Sequence, residues 1–191
     1  MIKAAESRIP GEWMFNNTRF IKQELEQRRE MLYQLAYSWC HQPALADDLV
    51  QDTMVKALRN ARQLKNTQAI KSWLSRILSN CWYDHLRSRR DIVDIDNLPA
   101  EMHPSVPDGN EHRDMVERVR QAIETLPIGQ RQVITLVDLA GFSYAEIAGI
   151  LDIPIGTVMS RICRARNTLK VALAEYDPRH DFARAKIRRI K

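Results

Sequence analysis

Apolar side chains recur every three or four residues along most of this chain, and no segment shows the strict alternation typical of a half-buried strand. This pattern predicts seven helices, at about 18–40, 44–60, 68–89, 111–125, 128–140, 143–151 and 155–174. Residues 92–110 have no sustained period and are acidic, with proline and glycine among them, so they indicate a linker. The sequence therefore predicts an all-α fold: two small helical domains, residues 1–91 and 111–191, joined by a flexible acidic linker.

Composition narrows the class of protein. The 191 residues contain no apolar run long enough to span a membrane, and the start MIKAAESRIPGEW lacks the apolar segment of a secretory signal. Cys40, Cys81 and Cys163 lie far apart and form no CxxC pair, so we expect a reducing cytoplasm, no disulfide framework and no metal site. The six glycines form no cluster that could cradle a nucleotide phosphate, and no cofactor is expected.

Charge is segregated along the chain. The formal net charge is +5, but residues 92–117 hold seven acidic residues against one arginine. Residues 156–191 hold ten basic residues against three acidic ones. A basic C-terminal segment suits a polyanionic partner without proving one.

A helix-turn-helix is predicted in the C-terminal domain. Ser143 and Glu146 have the spacing of a capping box at the start of a short helix, and Pro154 suits the start of the next one. Asp152 falls where the turn between them needs an unusual backbone conformation. The second helix is predicted to carry polar and basic residues on one side, suited to the major groove: Thr157, Ser160, Arg161 and Arg164. The alternative is an ordinary helical hairpin with a solvated basic face.

A second candidate for nucleic-acid contact is the helix predicted near residues 70–91. Its apolar stripe faces a core, and five residues at spacings of three and four share the opposite side: Arg76, Asn80, Tyr83, Arg87 and Arg90. Cations can follow a phosphate backbone, an aromatic ring can stack on a base, and an amide can bond a base edge, so this face suits single-stranded DNA. The alternative is a solvated helix end, and Trp82 could serve either the core or a ligand.

The preceding helix carries an outward face of Asp48, Gln51, Asp52 and Val55. An acidic patch is a poor DNA contact but suits a basic protein partner. A solvated acidic face is the alternative.

Together, the segments ADDLVQDTMVKAL, KSWLSRILSNCWYDHLRSRR and LPIGQRQVITLVDLAGFSYAEIAGILDIPIGTVMSRICRAR resemble an extracytoplasmic-function (ECF) sigma factor of the sigma-70 family. The resemblance covers about residues 20–173 and implies that the two domains are sigma regions 2 and 4. It implies that the face around Asp52 docks on the β′ clamp helices of RNA polymerase. It also implies that the Arg76–Arg90 face opens the −10 element, with Asn80 lining a pocket for a flipped base. Six positions would read or clamp the −35 element: Thr157, Met159, Ser160, Arg161, Cys163 and Arg164.

Two positions depart from the family pattern, since many relatives carry Lys or Arg at Met159 and Gly at Asp152. The resemblance implies a transcription initiation factor for a stress- or signal-responsive regulon, cytoplasmic and without enzymatic activity or a small-molecule substrate. Its partners would be core RNA polymerase, through the β′ clamp helices and the β flap, promoter DNA, and an anti-sigma factor anchored in the membrane. The alternatives are a stand-alone helix-turn-helix repressor or activator, for which no dimerisation module is evident, and a metal-dependent nuclease built on Asp47, Asp48 and Asp52.

Overall fold

The computed structural model describes the backbone of residues 10–89 and 111–174, and the side chains of 18–88 and 116–174. These residues form seven α-helices: α1 Pro10–Cys40, α2 Pro43–Arg59, α3 Ile70–Arg89, α4 Glu111–Glu124, α5 Ile128–Asp138, α6 Tyr144–Leu151 and α7 Ile155–Ala172. Two short 3-10 turns, Ala61–Gln63 and Thr67–Ala69, connect α2 to α3. The described residues contain no strand, which confirms the all-α prediction. None of these helices is both long enough and apolar enough to cross a bilayer.

Most predicted helices match the observed ones to within two residues at each end. The exception is α1, which begins at Pro10 rather than at residue 18. A proline is well tolerated in the first helical turn because its missing N–H has no partner there in any helix. The predicted linker, 92–110, and the tail beyond residue 174 lie outside the described residues.

The N-terminal part is a three-helix unit. α1 buries an apolar stripe that includes Leu25, Leu32 and Leu35 against α2 and α3. On α3, Leu74 and Leu78 are fully buried, as their helical spacing predicts. The polar edges of α2 and α3 lie at the surface of this unit.

The C-terminal part is built around α5, which contacts both α6 and α7. Ile147 of α6 and Val158 and Ile162 of α7 are buried together, and they fix the angle at which these two helices cross. Phe142 closes the same core from the turn before α6.

The two parts pack against each other and share one continuous apolar core. Trp39 of α1 donates its indole N–H to the Thr135 hydroxyl of α5 at 2.9 Å. Arg131 of α5 donates to the Trp39 carbonyl at 2.8 Å. The sequence predicted two helical units, but nothing in it indicated that α5 would lie against α1 and α3.

Candidate nucleic-acid interface

α6 and α7 form a helix-turn-helix, and a capping box fixes the start of its first helix. The Ser143 hydroxyl accepts from the Glu146 N–H at 3.3 Å, and the Glu146 carboxylate accepts from the Ser143 N–H at 2.8 Å. The Ser143 hydroxyl and backbone N–H both donate to this carboxylate, and these bonds lower the pKa of Glu146. Asp152 ends α6 in the left-handed conformation, with φ 56° and ψ 46°, and Pro154 occupies the position just before α7. The predicted capping box and unusual turn residue are confirmed.

The outer face of α7 mixes polar and apolar side chains. The Met159 side chain is 55% exposed, and Ile155, one turn earlier, is 50% exposed. Four more residues were predicted to contact DNA. Of these, Ser160, Cys163 and Arg164 are exposed, and Thr157 is half-buried. This face combines a cation, hydroxyls and apolar groups, which is the mixture that reads base edges and thymine methyl groups in a major groove.

Arg161 is the exception, and its predicted place on the outer face is corrected. Its side chain is buried, and its guanidinium lies beside Gly129 of α5, where an added Cβ would sit 3.0 Å from the Arg161 Cζ. Arg161 lies three residues after Val158 and four before Ala165, both buried, so helical spacing places it on the inner face. Its position indicates a packing role between α7 and α5.

A groove of about 370 Å³ lies beside α3 and gathers several polar groups. Three of the five residues predicted to share one face of α3 line this groove: Asn80, Tyr83 and Arg87. Lys56, Asn60 and Gln63, from the end of α2 and the turn after it, line the opposite wall. The sequence analysis did not identify these three residues. Asn60 and Gln63 are amides in a connecting turn, and only the packing of that turn against α3 brings them to the groove.

The remaining residues of the predicted α3 face have different surroundings. Arg76 points toward the helix-turn-helix, where its Nη2 lies 3.8 Å from an Asp152 carboxylate oxygen. Trp82 is buried in the core, which settles the choice left open for it. Arg90 lies outside the residues whose structure is described.

The acidic face of α2 is exposed as predicted. Its residues Asp48, Gln51 and Asp52 line a second groove, of about 480 Å³, whose other wall is α3. Lys56 forms an ion pair with Asp84 of α3 at 2.9 Å, and this hydrogen bond raises the pKa of Lys56. The pair joins α2 to α3 between the two grooves, so both surfaces depend on the same helix packing. Within the described residues, no three His, Cys, Asp or Glu side chains are grouped as metal ligands would be.

The helix-turn-helix places the protein in the class of DNA-binding proteins, and the polar groove beside α3 is a second candidate surface for nucleic acid. Comparison with known proteins gives the family. The family model for Sigma-70 region 2 matches residues 25–92, and that for Sigma-70 region 4 matches residues 116–169. The chain belongs to the ECF RNA polymerase sigma factors of the sigma-70 family, a family of transcription regulators rather than catalysts.

Several curated relatives carry that name. The ECF RNA polymerase sigma factor EcfG of Rhodopseudomonas palustris is 38% identical over 138 residues, covering 72% of this chain and 75% of the relative. The ECF RNA polymerase sigma-E factor of Escherichia coli is 37% identical over 134 residues, covering 64% of this chain and 70% of the relative. The resemblance seen in the sequence is thereby confirmed.

Two solved structures are similar over most of this chain. The sigma factor RpoE of Bartonella quintana, in complex with the anti-sigma factor NepR, has a TM-score of 0.64 and 34% identity, covering 80% of this chain and 96% of that one. CnrH, in complex with the cytosolic domain of CnrY, has a TM-score of 0.63 and 27% identity, and the match covers 87% of this chain and 96% of CnrH.

Proposed function

We propose that this chain binds core RNA polymerase and directs it to promoters by contacting the −10 and −35 elements. The observation that supports the proposal is the presence of two different candidate DNA surfaces in one chain. One is a helix-turn-helix suited to duplex DNA, and the other is a polar groove beside α3 that suits an unpaired strand. The proposed units are residues 1–91 and 111–191, with 92–110 as the linker between them.

The α3 groove would hold the −10 element in its open form. Arg87 supplies a cation for the phosphate backbone, and the Tyr83 ring supplies a surface on which a base can stack. Asn80 faces the amides Asn60 and Gln63 across the groove, and these groups can bond the edge of an extruded base. A base edge is available in this way only when the pairing is broken, so the groove favours the melted strand over the duplex.

The outer face of α7 would read the −35 element as duplex. Arg164 and Ser160 can bond base edges or phosphates, and Met159 offers an apolar surface to thymine methyl groups. Thr157 and Cys163 flank these residues. Arg161 has no direct DNA contact in this proposal because it is buried against α5.

Polymerase would dock on the exposed face of α2. Asp48 and Asp52 provide negative charge, Gln51 can form hydrogen bonds, and Val55, 45% exposed, provides apolar contact. Such a surface complements a basic partner such as the β′ clamp helices. The C-terminal unit would contact the β flap. The chain would then act in the cytoplasm, with polymerase, and without an enzymatic activity or a cofactor of its own.

Control by an anti-sigma factor is part of the proposal. RpoE of Bartonella quintana was solved with the anti-sigma factor NepR, CnrH was solved with the cytosolic domain of CnrY, and this chain matches 96% of the length of each. We propose that a comparable partner, anchored in the membrane, holds this chain inactive until a signal releases it.

Run-off transcription with purified core polymerase tests the function. The templates are fragments of the chain's own genomic neighbourhood, transcribed with and without the protein. Discrete transcripts that require the protein are expected, and they would map its promoter. No transcripts, together with sequence-specific binding of a dimer to free duplex DNA, would instead support a stand-alone repressor or activator.

A further inference from the structure

The groove beside α3 contains one carboxylate between two cations. Asp84 accepts a hydrogen bond from the Lys56 ammonium, with 2.9 Å between Nζ and Oδ2. The other oxygen of Asp84, Oδ1, lies 3.7 Å from Nη1 of Arg87. These three side chains are the charged groups among the residues that line the groove. Two cations and one carboxylate leave the groove with a net charge of +1, where the cations alone would give +2.

The ion pair fixes the Lys56 ammonium to the wall of the groove. Lys56 extends from α2 and Asp84 from α3, so the pair crosses between the two helices. The hydrogen bond to Asp84 raises the pKa of Lys56, and the ammonium is charged at neutral pH. Without this bond, a lysine on its flexible four-carbon chain could reach a phosphate of a strand lying in the groove. Arg87 keeps that freedom, because its side chain is 74% exposed and its distance from Asp84 is longer.

Stability alone does not account for the Lys56–Asp84 pair. The two side chains are 40% and 57% exposed. Ion pairs that exposed contribute little to the free energy of unfolding, because water screens the attraction and both side chains lose conformational freedom. The position of the pair in a polar groove therefore points to a role in ligand binding.

An acidic side chain in a groove for nucleic acid opposes binding, because it repels phosphate. Contacts between cations and phosphates supply affinity that is independent of sequence and falls with salt, whereas contacts to base edges supply selectivity. Asp84 lowers the first contribution, both by its own charge and by holding Lys56. It leaves the second in place, because the amides that line the groove are uncharged: Asn60, Gln63 and Asn80.

We propose that Asp84 is a specificity-determining residue of the groove beside α3. Its carboxylate holds the Lys56 ammonium away from the phosphates of the strand, so that the amides rather than the charge of the groove select what binds. Asp84 contacts no base in this proposal and acts through Lys56 as a positioning residue. The selection of a −10 element rests on the function proposed above, but the balance of charge in the groove does not.

Four variants of the full chain separate the charge of Asp84 from the release of Lys56. Asp84→Asn removes the charge and keeps the shape, and Asp84→Ala also removes the acceptor, in case the asparagine amide still holds Lys56. Lys56→Met keeps the length of the side chain without its charge, alone and combined with Asp84→Asn. Asp47→Asn is the matched control, because Asp47 is 49% exposed and pairs with Arg29 at 3.8 Å but does not line the groove.

The first measurement is the affinity of each chain for a fluorescent oligo-dT strand, by anisotropy over a range of salt concentrations. One further phosphate contact on a single strand steepens the slope of log affinity against log salt by about 0.7, which is about fivefold in affinity at about 0.1 M salt. We expect both Asp84 variants to gain that affinity and that slope. Lys56→Met alone should change little, and combined with Asp84→Asn it should abolish the gain in slope. Asp47→Asn should stay close to the wild type, because salt screens charges outside the groove.

An affinity for oligo-dT that was unchanged or weaker in both Asp84 variants would overturn the proposal. A gain that persisted undiminished with Lys56→Met would overturn the release of Lys56. Circular dichroism checks that each variant is folded.

The second measurement is selectivity, read by selecting strands from a random pool of single-stranded DNA with the full chain and sequencing them. The wild type is expected to enrich a short motif, and Asp84→Asn a weaker one. No motif with the wild type, or a motif of equal strength with Asp84→Asn, would overturn the role in specificity. Neither measurement uses polymerase or a mapped promoter, and run-off transcription tests the sigma activity separately, so the two failures cannot be confused.

Discussion

Arg131 is a buried cation whose hydrogen bonds connect α5 to α1, to α4 and to the turn between α4 and α5. Its guanidinium donates to the Trp39 carbonyl near the end of α1, to the Glu124 carbonyl at the end of α4, and to the Leu126 carbonyl in the turn before α5. The last carbonyls of a helix have no partner within the helix and form the negative end of its dipole. One arginine therefore satisfies acceptors at two helix ends and in one turn.

Replacing Arg131 with methionine removes all three hydrogen bonds while keeping most of the volume. Bonds from a charged donor contribute about 1.5–3 kcal/mol each, so the gross loss is about 4.5–9 kcal/mol. Burial lowers the pKa of Arg131 to about 10, so the charged guanidinium is itself costly to bury and its removal recovers part of that loss. We expect Arg131→Met to lower the free energy of unfolding by about 3 kcal/mol, because three carbonyls then lack their donor.

Urea unfolding at neutral pH, followed by far-ultraviolet circular dichroism, measures this difference. Arg120→Met is the control, because Arg120 lies on α4 with its side chain 58% exposed and only a surface ion pair to Glu117. That change should alter stability by less than about 0.5 kcal/mol. Arg131→Lys should fall between the two, because an ammonium keeps the charge but loses the planar fork of donors. If Arg131→Met unfolded at the same urea concentration as Arg120→Met, the assigned role of the buried guanidinium would be refuted.

Four further predictions concern the proposed surfaces. Ser143→Ala removes the cap of α6 and should lower the free energy of unfolding by about 1 kcal/mol at neutral pH. The pKa of Glu146 in the folded chain lies below its ordinary 4.5, so the difference between variant and wild type should shrink as the pH falls below 4.5 and Glu146 is protonated. A difference that stayed constant down to pH 2 would contradict this role of Glu146. Asp52→Ala should weaken binding to core polymerase and leave binding to free DNA unchanged, as measured by fluorescence anisotropy; equal polymerase affinity would reject the docking face. Asn80→Ala should slow promoter opening more than it weakens −35 binding, and unaltered permanganate reactivity at the −10 region would count against the groove. Met159 is 55% exposed and is proposed to contact a thymine methyl group. Replacing one −35 thymine with deoxyuridine should therefore weaken DNA binding by the wild-type chain severalfold, but should not weaken DNA binding by Met159→Ala. Equal losses of affinity in both proteins would exclude that contact.

The sequence by itself determined the helices, the capping box and the turn of the helix-turn-helix. These features depend on residues three or four positions apart, as with Ser143 and Glu146, or on the backbone preference of one residue, as with Asp152. The exposed face of α2 and the buried stripe of α3 follow from the same short period. The motif order was also enough to identify the family.

Only the tertiary structure decided which of the candidate residues work together. Asn60 and Gln63 become groove residues because the turn that holds them packs beside α3. The Arg161 guanidinium lies against Gly129 because α7 packs on α5. Trp39 and Thr135 are 96 positions apart, so their bond depends on how two whole helical units fit together. Local spacing reports which side of a helix is apolar. It carries no information about which distant polar face will cover another, because that choice depends on shape and hydrogen-bond matching across the assembled interface.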